Sequence, residues 1–216
     1  MTSAIIRSFW DLPRVQHWAR KAPTALQFFA WHCVGKPLPA PSAVKHRTVR
    51  WYGRHYGLKT LIETGTFMGD MIEAAKHSFD AIYSIELDRA LHERASARFA
   101  RDKHIHLLQG DSGSVLPKLL RKITAPCLFW LDGHWSGGIT AKCDKDTPVQ
   151  AEVEAILAHA CKEHVILIDD ARCFDGRGDY PAVQQIRELF CRGKPGMTFE
   201  LRDDIMRICP RHGRPG

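Results

Sequence analysis

Three acidic residues each stand at the end of an apolar segment that has the length and composition of a β-strand. Glu63 ends the first segment, Glu86 ends the second about twenty residues later, and Asp111 follows the third. The carboxyl ends of parallel strands meet at one edge of a sheet, where α/β proteins bind their ligands. We therefore expect these three carboxyl groups to line one ligand pocket. Taken singly, each also has a structural interpretation, as a surface carboxylate, a strand end or a helix cap.

The turn after the first segment is rich in glycine. Its sequence is ETGTFMG, from Glu63 to Gly69. Gly65 and Gly69 allow the backbone to turn sharply and approach a ligand closely, and a helix predicted to begin near Gly69 directs its free N–H groups to the same crevice. Dinucleotide sites use the spacing G-x-G-x-x-G and bind an anionic pyrophosphate there. A carboxylate at this turn instead favours a ligand with an ammonium group and no phosphate, such as S-adenosylmethionine.

A second acidic group follows the fourth and fifth predicted strands. Asp132 ends the fourth strand, two residues before His134, and the doublet Asp169 and Asp170 ends the fifth. Neighbouring strands lie about 5 Å apart, so we expect the three carboxylates to converge. Carboxylate oxygens suit Mg²⁺, which binds a substrate hydroxyl and lowers its pKa. His134 is a candidate base, because an imidazole titrates near neutral pH, although a hydrogen-bonded structural histidine is the alternative interpretation.

Together these features resemble the class I S-adenosylmethionine-dependent methyltransferases over about residues 58–210. The acidic residues fall where that family has its cofactor-binding acids. The resemblance implies that the cofactor is bound by Glu63, Gly65, Gly69, Glu86 and Asp111. A doubly wound sheet with an antiparallel last strand is also implied.

The glycine turn, the Asp-Gly pair at Asp132 and the aspartate doublet further resemble the metal-dependent sugar O-methyltransferases of the macrocin type. In that family the acids matching Asp132, Asp169 and Asp170 hold Mg²⁺. The chain departs from the pattern at His134, where many members have a second aspartate that serves as the base. The sequence DGHW at this place is also similar to the Asp-His-Trp of catechol O-methyltransferases, with one residue more and without their lysine. The catalytic candidates are therefore His134 and Asp170.

Strands and helices alternate through the rest of the chain. The five strands are predicted over residues 61–63, 80–86, 104–108, 125–132 and 164–168, and helices over 43–56, 114–121, 148–160 and 181–190. Thr147 is the predicted N-cap of the helix 148–160, with Gln150 completing a capping box. A final hairpin is predicted over 197–201 and 204–209. We predict an α/β doubly wound, Rossmann-like methyltransferase sheet, mostly parallel with an antiparallel last strand, preceded by a helical N-terminal segment.

Residues 1–57 differ from the rest of the chain in charge. They contain nine lysine and arginine residues and one acidic residue, Asp11, whereas residues 58–216 are nearly neutral. Aromatic and aliphatic residues lie between these bases. We predict that residues 1–57 form a cap that packs on the methyltransferase domain, residues 58–216, or on a second subunit of a homodimer. The alternative is docking on an anionic membrane surface. We expect no nucleic-acid partner.

The length and composition agree with a single globular domain. The 216 residues are 44% hydrophobic and 25% charged, and no apolar run is long enough to span a bilayer. Seven cysteines without a C-x-x-C pair favour reduced thiols in the cytoplasm. The sequence predicts a Mg²⁺-assisted O-methyltransferase that acts on a hydroxyl of a sugar or another small polar natural product. Two alternatives stay open: a catechol-type enzyme with an aromatic acceptor, and a non-catalytic cofactor-binding protein that docks through its basic N-terminus.

Overall fold

The structure is a computed structural model that describes residues 24–132, 147–193 and 196–211. The chain divides into two compact units, residues 1–48 and 49–216. The role of residues 1–57 as a cap or docking segment stays a prediction. Among the described residues, no helix is both long and apolar enough to cross a membrane.

The described part of the first unit is helical, as predicted. Helix α1 (Thr24–Cys33) is followed by a proline-rich loop and by α2 (Ser42–His55), which crosses the boundary between the units. Trp31 and Val44 are buried against each other within this unit. The indole N–H of Trp31 donates a hydrogen bond to the carbonyl oxygen of Pro37 at 2.8 Å. This bond ties the loop to α1.

The second unit is built on one sheet of seven strands. Its strands are β1 (Thr60–Thr64), β2 (Ala81–Glu86), β3 (Ile105–Gln109), β4 (Leu128–Leu131), β5 (Val165–Ile168), β6 (Met197–Arg202) and β7 (Ile205–Pro210). The helices of this unit are α3 (Asp70–Ala75), α4 (Arg89–Arg98), α5 (Ser112–Leu120), α6 (Val149–Ala158) and α7 (Val183–Gly193). A single 3₁₀ turn (Ala171–Cys173) follows β5.

The strand order is β3-β2-β1-β4-β5-β7-β6. Strands β1 to β5 are parallel, and β7 is antiparallel to both β5 and β6. The predicted doubly wound sheet with an antiparallel last strand is confirmed. The chain moves from β1 to β3 in one direction and then returns to place β4 on the other side of β1. This switch point opens a crevice outside the carboxyl ends of β1 and β4, where such sheets bind ligands.

The central strands are apolar on both faces because both faces are covered. Every residue of β4 is buried, and its side chains alternate between two clusters. Phe129 and Leu131 pack in one cluster, and Leu128 and Trp130 pack in the other. A strand with helices on both sides has to be apolar throughout, which explains its unbroken hydrophobic run.

Two local predictions differ from the structure at helix starts. Helix α5 begins at Ser112, two residues earlier than predicted, because the Asp111 side chain caps it there. The capping box predicted for α6 is wrong, since Pro148 takes the N-cap position without a side-chain cap. Gln150 instead donates to Glu154 at 3.1 Å, one turn further along. The Thr147 hydroxyl still accepts the N–H of Val149 at 3.3 Å.

Candidate cofactor and metal site

The glycine turn after β1 has the conformation that its sequence requires. Gly65 and Gly69 have φ angles of 84° and 78°, in the left-handed region that favours glycine. A Cβ atom at Gly69 would lie 2.7 Å from the Phe99 ring, so a side chain has no room there. Phe67 also has a positive φ, 47°, and its N–H donates to the Glu86 carboxylate at 2.7 Å. The turn is thus held against the end of β2.

Glu63 lies at the base of this crevice and is 2% exposed. Its carboxylate accepts a hydrogen bond from the Ser84 hydroxyl at 2.5 Å, and the Ser84 and Thr66 hydroxyls are 2.6 Å apart. The pKa of Glu63 is raised to about 8, chiefly by burial. The Ser84 hydrogen bond opposes this rise, and the nearby Asp132 and Glu86 carboxylates add to it. A cation bound beside Glu63 would favour its charged form.

The raised pKa of Glu63 makes a prediction about stability. In the unfolded chain this carboxyl titrates near 4.5, so folding takes up a proton between that pH and about 8. The free energy of unfolding should therefore fall as pH rises through this window. Glutamine cannot ionise, yet it keeps an oxygen that accepts the Ser84 hydrogen bond. We measure the free energy of unfolding in urea for Glu63→Gln and for the unmodified protein. The difference, variant minus unmodified protein, should be larger at pH 8 than at pH 5.

The exposed Glu154 of α6 offers a matched control, because Glu154→Gln makes the same chemical change on the surface. Each variant is compared with the unmodified protein at the same pH, which cancels the contribution of other titrating groups. A difference for Glu63→Gln that is equal at pH 5 and pH 8 would contradict the raised pKa.

Glu86 connects two loops at the rim of the same crevice. One carboxylate oxygen accepts the Phe67 N–H, and the other accepts the Asp88 N–H at 2.9 Å. Each carboxylate oxygen has two lone pairs, so the group keeps the capacity to accept hydrogen bonds from a ligand's hydroxyls. The structure therefore brings Glu63 and Glu86 to the same turn, as expected from the strand order.

Asp111 acts as a helix cap in the structure. Its carboxylate accepts the N–H groups of Gly113 and Ser114, at 3.3 and 3.0 Å, and the Ser114 hydroxyl at 2.8 Å. This matches the structural interpretation of the residue. Its predicted contact with the cofactor stays a prediction.

The three aspartates converge as predicted. Asp132 follows β4, and Asp169 and Asp170 follow the neighbouring β5. One carboxylate oxygen from each lies within 4.8 Å of the others. Oxygen ligands of Mg²⁺ lie about 2.1 Å from the ion and roughly 3–4 Å apart, so small side-chain rotations would suffice. A donor set of carboxylates fits Mg²⁺, which prefers hard oxygen ligands.

Sequence reasoning missed Arg172, which contacts this cluster. Asp170 has a left-handed backbone with a φ of 51°, and its N–H donates to the Asp169 carboxylate at 2.8 Å. The Arg172 guanidinium donates to the Asp170 carboxylate at 2.7 Å. A positive charge therefore partly offsets the repulsion among the three carboxylates.

Glu152 is a second missed residue. It is 1% exposed and accepts the Ser112 hydroxyl at 2.6 Å. Burial raises its pKa to about 7, with smaller contributions from Asp111 and Asp132 that raise it and hydrogen bonds that lower it. The spacing of Glu152 from Val149, three residues along the buried face of α6, is the sequence signal that could have found it. This buried carboxyl lies near both the candidate cofactor side and the candidate metal side.

His134 lies outside the described residues. Helices α6 and α7 border a cleft of about 810 Å³ together with Gly176 and residues 178–181. The polar lining side chains include Gln150, Gln185, Glu188 and Arg192, and the apolar ones include Leu157 and Leu189.

No protein-family model and no curated protein matches the chain. The fold nevertheless matches solved structures over nearly the whole length. The O-methyltransferase TomG of Streptomyces achromogenes, solved with S-adenosylmethionine, is 18% identical with a TM-score of 0.58, over 96% of this chain and 95% of TomG.

An O-methyltransferase of Bacillus cereus, solved with S-adenosylhomocysteine, is 16% identical with a TM-score of 0.57, covering 95% of this chain and 97% of its own. The Podospora anserina methyltransferase PaMTH1, also bound to S-adenosylhomocysteine, is 15% identical with a TM-score of 0.54, covering 92% of this chain and 94% of its own. At these identities the likeness establishes the fold, which agrees with the strand order of the sheet. The chain has the class I S-adenosylmethionine-dependent methyltransferase fold.

Proposed function

We propose that this protein is an S-adenosylmethionine-dependent, Mg²⁺-assisted O-methyltransferase that acts on a hydroxyl of a sugar or another small polar natural product. The observation that carries the proposal is the placement of two acidic groups at one sheet edge. Glu63 and Glu86 adjoin the glycine turn, and three aspartates converge on the neighbouring strands β4 and β5. A methyl donor and a cation-held acceptor need adjacent sites of this kind.

The roles of the proposed cofactor-binding residues follow from their charge and from the backbone geometry. Glu63 would face the ammonium group of the methionine part, and Glu86 would accept hydrogen bonds from the ribose hydroxyls. Asp111 would accept from the adenine amino group at the end of β3. Gly65 and Gly69 let the backbone approach the ligand, because neither carries a side chain. The solved neighbours with this cofactor or its product support the assignment.

On the acceptor side, Asp132, Asp169 and Asp170 would hold Mg²⁺. The ion would lower the pKa of the acceptor hydroxyl and hold its oxygen near the donor. His134 would take the hydroxyl proton. The acceptor oxygen would bond to the methyl carbon of S-adenosylmethionine as the carbon–sulfur bond breaks, with that electron pair kept by sulfur, so the products would be S-adenosylhomocysteine and the methyl ether.

The cleft between α6 and α7 supports a polar acceptor. Amide, carboxylate and guanidinium groups line it, and these can pair with several hydroxyls of a sugar. Its lining includes Thr147, the first described residue after Asp132, and Gly176, six residues after Asp170. A flat catechol would leave many of these polar groups without partners. This favours the sugar-type acceptor over the catechol type.

Calorimetry with S-adenosylmethionine and with NAD tests the cofactor proposal. We expect the first ligand to bind and NAD to bind poorly. Glu86→Ala should weaken S-adenosylmethionine binding by about 1–3 kcal/mol, because the ribose hydroxyls lose a charged acceptor. The exposed Glu93→Ala, on the next helix, is the matched control. Binding of NAD without binding of S-adenosylmethionine would refute the proposal.

A further inference from the structure

The turn between β6 and β7 contacts Ala171 and Arg172, the two residues that follow the aspartate doublet, although about thirty residues separate them in sequence. Strand β7 runs antiparallel beside β5, with Met206 paired to Ile168. The residues just before β7 therefore lie beside the residues just after β5. Asp204 is one of them, and its side chain is 1% exposed.

Three oxygen atoms of Asp204 accept hydrogen bonds from Ala171 and Arg172, the two residues that follow Asp170. The Asp204 carbonyl oxygen accepts the Ala171 N–H at 2.9 Å. One carboxylate oxygen accepts the Arg172 N–H at 2.9 Å, and the other accepts the Arg172 guanidinium. A buried carboxylate with this set of donors is a fixed anchor for the 3₁₀ turn after β5.

The anchor reaches Asp170 through Arg172. The same guanidinium nitrogen of Arg172 that contacts Asp204 also donates to the Asp170 carboxylate at 2.7 Å. Asp170 has a φ of 51°, which a residue other than glycine keeps only when its surroundings hold it. Asp204 thus holds the backbone next to Asp170 through the Ala171 N–H, and it holds the Asp170 side chain through Arg172.

We propose that Asp204 is a positioning residue for the candidate metal site, because through Arg172 it holds the Asp170 carboxylate where it can act as a cation ligand. The inference rests on the metal site put forward under the proposed function. Partners that orient ligating carboxylates change metal affinity by about 10- to 100-fold in known sites.

Asp203 provides a matched control in the same turn. It also has a positive φ, 56°, but its carboxylate pairs with Arg207 at 3.1 Å and with Arg202 at 3.7 Å. Asn is tolerated in the left-handed region as Asp is. Asp204→Asn and Asp203→Asn therefore make the same chemical change, and the first makes it at the carboxylate that binds Arg172.

The experiment titrates the full-length protein and both variants with Mg²⁺, and separately with Mn²⁺, by calorimetry. Asp204→Asn should raise the dissociation constant about 10-fold or more, and Asp203→Asn should leave it within about 2-fold. Thermal unfolding in EDTA checks that each variant is folded. If Asp204→Asn does not fold, Arg172→Lys takes its place, since it keeps the charge but loses the planar guanidinium, and it should weaken binding in the same direction.

The outcomes separate the two proposals. If the unmodified protein binds neither cation, the metal site is refuted and this inference with it. If the unmodified protein binds and folded Asp204→Asn binds as tightly, only the positioning role is overturned. A loss of thermal stability without a loss of cation affinity also overturns it, because that is the result of a purely structural role.

Discussion

Asp169→Ala is expected to abolish cation binding and to lower turnover by about 10³-fold or more, while S-adenosylmethionine binding stays largely intact. Asp169 is 1% exposed, and one of its oxygens belongs to the cluster formed with Asp132 and Asp170. Losing a proposed ligand would remove the cation, whose charge would stabilise the transition state by several kcal/mol. The cofactor would keep its proposed contacts at β1 and β2. Calorimetry with each ligand and a methyl-transfer assay measure the three quantities.

The other two aspartates should behave in the same way when changed to alanine. Asp175→Ala is the matched control, because Asp175 is exposed and pairs with Arg177 outside the cluster. Treatment with EDTA should remove the activity of the unmodified protein, and added Mg²⁺ should restore it. Full activity after chelation would remove the metal from the mechanism.

His134→Ala is expected to lower turnover by about 10²–10⁴-fold with cation and cofactor binding unchanged. The imidazole is proposed to take the acceptor proton, so its loss affects the chemical step alone. Activity should recover partly at high pH, where hydroxide replaces the base. Because the cation already acidifies the hydroxyl, the lower end of this range is expected. A pH–rate profile measures the change.

His77→Ala is the control for this variant. His77 is exposed and lies just after the C-terminal end of α3, whereas the glycine turn precedes that helix. A loss of cation affinity in His134→Ala would assign the residue to the metal site instead. Unchanged turnover would move the base elsewhere, and Asp170 is then the next candidate.

The fold class was predictable because it depends on local patterns. Runs of four or five apolar residues that end in an acid, with helical segments between them, are visible without any tertiary information. The hairpin before residue 210 was predicted in the same way, and the structure places its turn at Asp203 and Asp204. Helix starts were less predictable, because Asp111 and Pro148 compete with neighbouring residues for the cap position.

The residue types of the candidate site were also present in the sequence, but their environments were not. The sequence shows Glu63 as an acid at a turn, and the structure raises its pKa to about 8, chiefly by burying it. Glu152 lies on an amphipathic helix, and only the packing of α6 on α5 brings it to Ser112. Burial depends on what the rest of the chain places around a residue, which local periodicity does not describe.

The sequence by itself determined the alternation of strands and helices and the acids at the strand ends, because periodicity, turn residues and capping act over a few neighbouring positions. Only the tertiary structure decided which ends meet. The strand order puts β5 beside β4, which brings Asp169 to Asp132. It also puts β7 beside β5, which brings Asp204 to Arg172. Such pairings depend on long crossovers and on burial of both sheet faces, which couple residues far apart in the chain.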